Sequence, residues 1–419
     1  MRSRQPTRRS LPPEARPDEI PIGSLSDELL CEIFRLVQSS DWLSQAWCRV
    51  LWVCRRWSAV GRAAAFLWCD ITIRGVPNRA FILASLEYSK NALLEISFLR
   101  AAYLAEILPL LSPHIYRIRS LSIDGDLGTT NGSALAIVLS YAFPSLETFQ
   151  ASSQPTEDPL IWQPDASGYP LLRNLILEGP VSIKVAPTAV FPALRKLILS
   201  YDSNPSFTFQ SFMQFLFRHL HLEKLELYEY NLALDCPFAT ATFPPALRSF
   251  SLRGYDRKYI KDFLSSFTDI PAHVSLSISG EYDGYHTENT PGSTTHMLPD
   301  PPQRHLHTLS RVTSVEITGD LGSTWSLVGR ALSGDEDPLV EFEVRCLRGR
   351  HSFLPPLQLA DAVRIFCGAP VVEVRLTNNI IGKIHKAEWV ALFDAFPLLE
   401  HVAIEDVKIR DEDDAREGL

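Results

Sequence analysis

Apolar residues recur along this chain at two spacings, one helical and one strand-like. Leu29, Leu30, Ile33, Phe34 and Val37 fall at i, i+1, i+4, i+5 and i+8, which predicts one apolar face of a helix. Ser26 and Asp27 suit its N-cap, and Asp27 and Glu28 suit the positive end of its dipole. A second amphipathic run places Trp47, Val50, Leu51 and Cys54 on one side and Arg49, Arg55 and Arg56 on the other. Two or three such helices enclose little core. Phe34, Trp42, Trp47, Trp52, Trp57 and Trp68 must therefore bury surface against a partner or against the rest of the chain.

Beyond this head, short runs fit an apolar-x-x-apolar-x-apolar template. The first is Trp68/Ile71/Ile73 and the last Leu399/Val402/Ile404. The middle residues are Ile71, Ile96, Leu121, Phe149, Leu175, Leu197, Leu225, Phe250, Leu276, Val315, Phe342, Val374 and Val402. Their spacing is 22 to 32 residues, except for 39 between Leu276 and Val315, and most intervals match leucine-rich repeats. Segments 102–111, 133–142, 209–220, 259–267, 357–367 and 387–396 have helical periodicity and lie between strands. One strand and one helix per repeat predict an α/β fold: a leucine-rich-repeat-like solenoid with a parallel sheet on its concave face. An ordinary α/β domain with coincidental spacing is the alternative.

The head carries a further signal. Leu25-Ser-Asp-Glu-Leu-Leu-Cys-Glu-Ile-Phe34, then Val53-Cys-Arg-Arg-Trp57, then Leu67-Trp68 resembles the F-box motif, in the form common among fungal F-box proteins. Ser26 and Ala65 stand where that family usually has proline, and Ser26 can still cap the helix. The resemblance covers residues 20–73 and implies docking on the Skp adaptor, and through it on the cullin scaffold of an SCF ubiquitin ligase. Carried over by position, the adaptor-facing set is Leu25, Leu29, Ile33, Phe34, Leu51, Cys54 and Trp57. The repeats are similar to the irregular leucine-rich-repeat region of many F-box proteins, in architecture only. The expected organisation is a disordered basic tail over 1–19, an F-box-like helical domain over 20–66 and the solenoid over 67–406 with a loop insertion at 281–309. An acidic tail follows over 407–419.

At 419 residues, 46% hydrophobic and 21% charged, the composition is that of globular protein. A net charge of −9 argues against a general nucleic-acid binder. No apolar run is long enough for a membrane span, and the basic start has no apolar stretch after it, so a cytoplasmic or nuclear protein without a membrane partner is expected. A nuclear import signal is the functional alternative for the basic tail. Seven cysteines without a C-x-x-C pair fit reduced, mostly buried thiols. Ser122-Ile-Asp-Gly-Asp-Leu-Gly-Thr-Thr130 is echoed by Glu316-Ile-Thr-Gly-Asp-Leu-Gly-Ser-Thr324. Each reads as a turn after a strand followed by the cap of a helix, and lacks the spaced carboxylates of a calcium loop.

Phosphate-binding glycine loops, nucleophile elbows and H-E-x-x-H zinc motifs are missing from the sequence, so no cofactor, metal or catalytic residue is expected. His219/His221 and His305/His307 are two apart but read as exposed helix-end or loop residues. In the long insertion Tyr282, Tyr285 and His286 could touch a partner, though a tolerated loop is the simpler reading. The expectation for function is a non-catalytic substrate receptor: the head docks on the adaptor while the repeat surface binds a protein substrate. Tyr228, Arg253, Arg345 and Arg375 are the substrate-contact candidates, since Tyr and Arg dominate interface hot spots. Two alternatives stand: a non-ligase interaction scaffold with a helical N-terminal cap, and a hydrolase whose site is assembled from distant residues.

Overall fold

The computed structural model describes residues 25–40, 45–125, 135–152, 160–178, 183–200, 207–229, 232, 234, 241–254, 256–282, 293–319, 324–331, 337–346, 358–377 and 386–405. The basic tail, the acidic tail, Tyr285, His286 and Cys236 lie outside them. Two compact units result. The first runs to Thr72 and includes Asn78–Ala92, and the second comprises Ile73–Pro77 and everything from Leu93 onward.

The first unit contains helices α1 (Asp27–Ser40), α2 (Arg55–Ala63) and α3 (Arg79–Tyr88), with 3-10 turns at Gln45–Trp52 and Ala65–Trp68. Leu30, Phe34, Trp47, Val60, Leu67 and Trp68 form its core. Its boundary differs from the sequence expectation of 20–66. Trp68 sits edge-on to Trp47 at 5.0 Å and packs against Phe81 and Tyr88 of α3 at 6.2 and 5.0 Å, so the head needs α3 to close its aromatic core. The indole N–H of Trp68 donates to the carbonyl of Gly61 at 2.8 Å, satisfying the polar edge of a buried ring.

Strand β1 (Asp70–Ile73) spans the boundary. The second unit holds β2 (Leu94–Phe98), β3 (Ile118–Asp124), β4 (Thr148–Ser152), β5 (Leu160–Trp162), β6 (Asn174–Glu178), β7 (Ile183–Val185), β8 (Lys196–Ser200) and β9 (Lys224–Tyr228). It continues with β10 (Ser249–Gly254), β11 (Ser275–Tyr282), β12 (Ser314–Gly319), β13 (Thr324–Arg330), β14 (Val340–Cys346), β15 (Glu373–Thr377) and β16 (His401–Glu405). The fold is α/β with a large, mostly parallel sheet. From β2 to β11 every neighbouring pair in this sheet is parallel, and Ile96, Leu121, Phe149, Leu175, Leu197, Leu225, Phe250 and Leu276 lie in one register row. A second row two residues on, from Phe98 to Ile278, is likewise buried. Burying each such side chain is worth about 1.5–3 kcal/mol in transfer terms, so these two ladders are a main source of the unit's stability. Helices at Leu104–Leu111, Phe209–Arg218 and Arg257–Ser265 occupy the intervals, the latter two capped by Thr208 and Asp256 side chains.

Past β11 the strand order departs from the simple succession that the repeat predicts: it runs β11-β14-β13-β12-β15-β16. β14 joins β11 in parallel, and β13 is antiparallel to both β14 and β12. The second copy of the internal echo therefore leads into a strand and not a helix. Gly329 makes this insertion possible: a methyl there would lie 2.6 Å from Val340 Cγ2 and 2.9 Å from Val312 Cγ2, both on stiff β-branched side chains. The segment expected to be a loop insertion differs as well. Within 293–309, Thr294, Met297, Leu298, Leu306 and Leu309 are buried. Asp361 anchors it by accepting from Ser293 Oγ at 2.6 Å, Thr294 N at 2.8 Å and Thr294 Oγ1 at 2.9 Å. Burial pushes the Asp361 carboxyl above the usual range despite these bonds.

Candidate functional site

Two surfaces carry the residues singled out in the sequence. On the head, α1 begins where Ser26 Oγ accepts from Leu29 N at 3.4 Å. Arg56 ties α2 back to this end through Asp27 Oδ1 at 2.7 Å and through the carbonyl of Leu25. Sequence periodicity groups Leu29, Leu30, Ile33, Phe34 and Val37 as a single face; the structure divides them. Leu30 and Phe34 point into the core, Phe34 with no exposed surface and its ring 5.2 Å from that of Trp57. Leu29 is 53% exposed, and Ile33, one turn on, is half-buried.

Of the residues assigned to adaptor docking, Leu25, Ile33, Leu51 and Trp57 are thus half-buried, Leu29 and Cys54 are exposed, and Phe34 is a core residue. Its assignment as a docking anchor does not fit this position, because a ring with no exposed surface offers nothing to a partner. The structure adds Trp52, 83% exposed, and Val53, 60% exposed, directly before Cys54. Single exposed apolar residues are ordinary, but Trp52, Val53 and Leu29 are large side chains on one small helical unit. The signal for Leu29 was in the sequence: Leu29, Ile33 and Leu36 form a second i, i+4, i+7 stripe beside the inward one.

In the second unit, parallel register collects three of the four proposed substrate contacts on the polar face of the sheet. Tyr228 pairs with Arg253, Arg253 pairs with Ser279, and Glu281, two residues on, pairs with Arg345. Each is braced by a carboxylate. Tyr228 donates its hydroxyl to Glu226, whose other oxygen meets Lys224 Nζ at 2.8 Å. Arg253 Nη2 meets Glu281 at 3.3 Å, and Arg345 Nε meets Glu343 at 2.9 Å. Arg375 sits apart on β15, held by Glu373 at 2.8 Å.

The electrostatics follow from these contacts. Burial pushes Glu226 upward, but the hydrogen bonds from Lys224 and Tyr228 and the charges of Lys224 and Lys196 outweigh it and leave its pKa below the ordinary value. Tyr228 is pushed up to about 12 by burial and by the neighbouring Glu226. The hydrogen bond to Glu343 raises Arg345 further. Glu281 Oε2 and Arg253 Nε are buried without a hydrogen-bond partner. The arrangement offers fixed cations and a phenol for recognition; an ionised Glu226 and a phenol of such high pKa are poorly matched to acid-base chemistry near neutrality.

The histidine pairs do not form sites. His219, expected to be exposed, is buried at the end of the helix Phe209–Arg218. Its Nε2 accepts from Phe191 N at 3.0 Å and its Nδ1 lies 2.7 Å from the carbonyl of Phe215, while burial lowers its pKa. His221 is exposed, so the two rings do not converge. Among the described residues no group of His, Cys, Asp and Glu could hold a metal ion, and no helix is long and apolar enough to cross a membrane. Burial pushes the Cys48 thiol up to about 11, which makes it a poor nucleophile. No protein-family model matches the chain, and no curated protein matches it.

Proposed function

We propose that the chain is the substrate-recognition subunit of an SCF-type ubiquitin ligase. In this reading the helical head is an F-box-like domain that docks on the Skp adaptor. The strand-and-helix repeats form an irregular leucine-rich-repeat-like solenoid that binds a protein substrate through the polar face carrying Tyr228, Arg253 and Arg345. The chain makes no bond to ubiquitin; it holds the substrate near the conjugating enzyme and raises its effective concentration there. Such a receptor works in the cytoplasm or nucleus.

The observation that carries the reading is a head whose core is closed by its own residues yet which still exposes Leu29, Trp52, Val53 and Cys54. Leu29, Val53 and Cys54 lie within the segments whose order resembles the F-box motif, and Trp52 directly precedes the second of them. An exposed Trp of this kind is a typical hot spot, worth about 2 kcal/mol or more when buried by a partner. Trp52→Ala should weaken binding to purified Skp adaptor by roughly 30-fold or more while the melting temperature stays unchanged. Equal affinity of variant and parent would remove the support this surface gives. The second reading, a non-ligase interaction scaffold, draws on the burial of Phe34 and Leu30, since a head with a complete core folds without a partner. Absence of adaptor binding by the parent chain would favour it.

A further inference from the structure

Among the described residues the last strand, β16, is bonded on one side only, to β15. Its neighbourhood stays apolar and open: Val402 is 37% and Ile404 50% exposed. Phe393 of the helix Lys386–Ala395 and Leu398 after it are exposed as well. Exposed edges with apolar side chains are usually blunted by Lys, Pro or a bulge, and β16 has none of these between His401 and Glu405.

We propose that β16 is a self-association edge, pairing antiparallel with β16 of a second copy of this chain about a two-fold axis at Ala403. The backbone selects this register. His401 N donates to Val372 O at 3.0 Å, so residues 401, 403 and 405 turn their amide groups toward β15. Val402 and Ile404 turn theirs toward the open side. Pairing about Ala403 sets Val402 opposite Ile404 of the second copy, and the converse, so both outward residues on each strand exchange N–H and C=O bonds. Shifting the register by two residues matches only one outward residue on each strand. A shift by one sets outward-facing groups against inward-facing ones and apolar side chains against the polar face.

The side chains agree with the backbone. His401 falls opposite Glu405 of the second copy on the polar face, giving a donor–acceptor pair at each end of the interface. Val402 and Ile404 meet on the face where Val374 and Leu376, their β15 partners, are buried, extending the apolar ladder across the junction. The strand His-Val-Ala-Ile-Glu is thus complementary to its own reverse, which an isologous two-fold contact requires.

The test uses the full chain. Light scattering after size exclusion should give twice the 47.1 kDa chain mass for the parent at tens of micromolar. Ile404→Lys should give the single-chain mass with an unchanged circular dichroism spectrum. Ala403→Cys places two cysteines in the non-hydrogen-bonded position across the axis, where the Cα separation of about 4.5 Å permits a disulfide. Mild oxidation should then produce a covalent dimer on a non-reducing gel that the parent, with its native cysteines, does not form. A monomeric parent, or a dimer that survives Ile404→Lys and is not captured by Ala403→Cys, would overturn the proposal.

Discussion

Phe34→Ala separates the core of the head from its surface. The ring has no exposed area and packs in a cluster with Leu30, Trp47, Val60, Leu67 and Trp68, with Trp57 5.2 Å away. Removing it deletes most of a fully buried aromatic side chain and leaves a cavity that these large neighbours cannot all collapse into. The expected loss is about 3–5 kcal/mol, a large part of what a unit of this size has to spare. Hydrogen exchange read by mass spectrometry localises the effect: amides of α1 and α2 should lose protection while strands β2 to β11 keep theirs. Trp52→Ala, on an exposed side chain, should stay within about 0.5 kcal/mol of the parent. Unchanged protection of α1 in Phe34→Ala would refute the packing argument, and with it the distinction between inward and outward stripes on this helix.

Asp361→Ala leaves three buried donors, Ser293 Oγ, Thr294 N and Thr294 Oγ1, without their acceptor. A loss of about 2–3 kcal/mol is expected in urea denaturation, with faster exchange over 293–298; equal stability would show that the segment is held by its apolar residues alone. Tyr228, with its folded pKa raised to about 12, favours the fold while protonated. Its contribution is complete below the unfolded value of about 10 and is lost as pH rises through the folded one. Stability followed by denaturation should therefore fall between about pH 10 and 12, less steeply in Tyr228→Phe. An identical slope in the variant would contradict the raised pKa that burial and the neighbouring Glu226 give Tyr228.

Strand positions were legible in the sequence because the two-residue alternation of a buried ladder is local. Ile96, Leu121, Phe149 and their successors sit in one register row, as their spacing implies. Strand order past β11 was not legible. Thr324–Arg330 carries Trp325, Leu327 and Val328 off the repeat template, and what makes it a strand is antiparallel pairing with its two neighbours along the chain, β12 and β14, which a template for parallel repeats does not describe. The head's boundary was hidden for a similar reason: α3 belongs to it through the ring contacts of Phe81 and Tyr88 with Trp68, which no local pattern reports. At the candidate sites, residue types pointed to Tyr228, Arg253 and Arg345, but only parallel register explains why these three gather and Arg375 does not. Phe34 and Leu29, alike in character and five residues apart on one helix, differ in role because a step of about 100° per residue turns one inward and the other out.

The central claim is most directly tested by mixing the full chain with purified Skp adaptor and the adaptor-binding region of a cullin and measuring the mass of what elutes together. The account predicts a complex that holds equal amounts of each and loses this chain, but not the adaptor–cullin pair, when Leu29→Asp and Trp52→Ala are combined. A folded parent chain that elutes apart from the adaptor would contradict it.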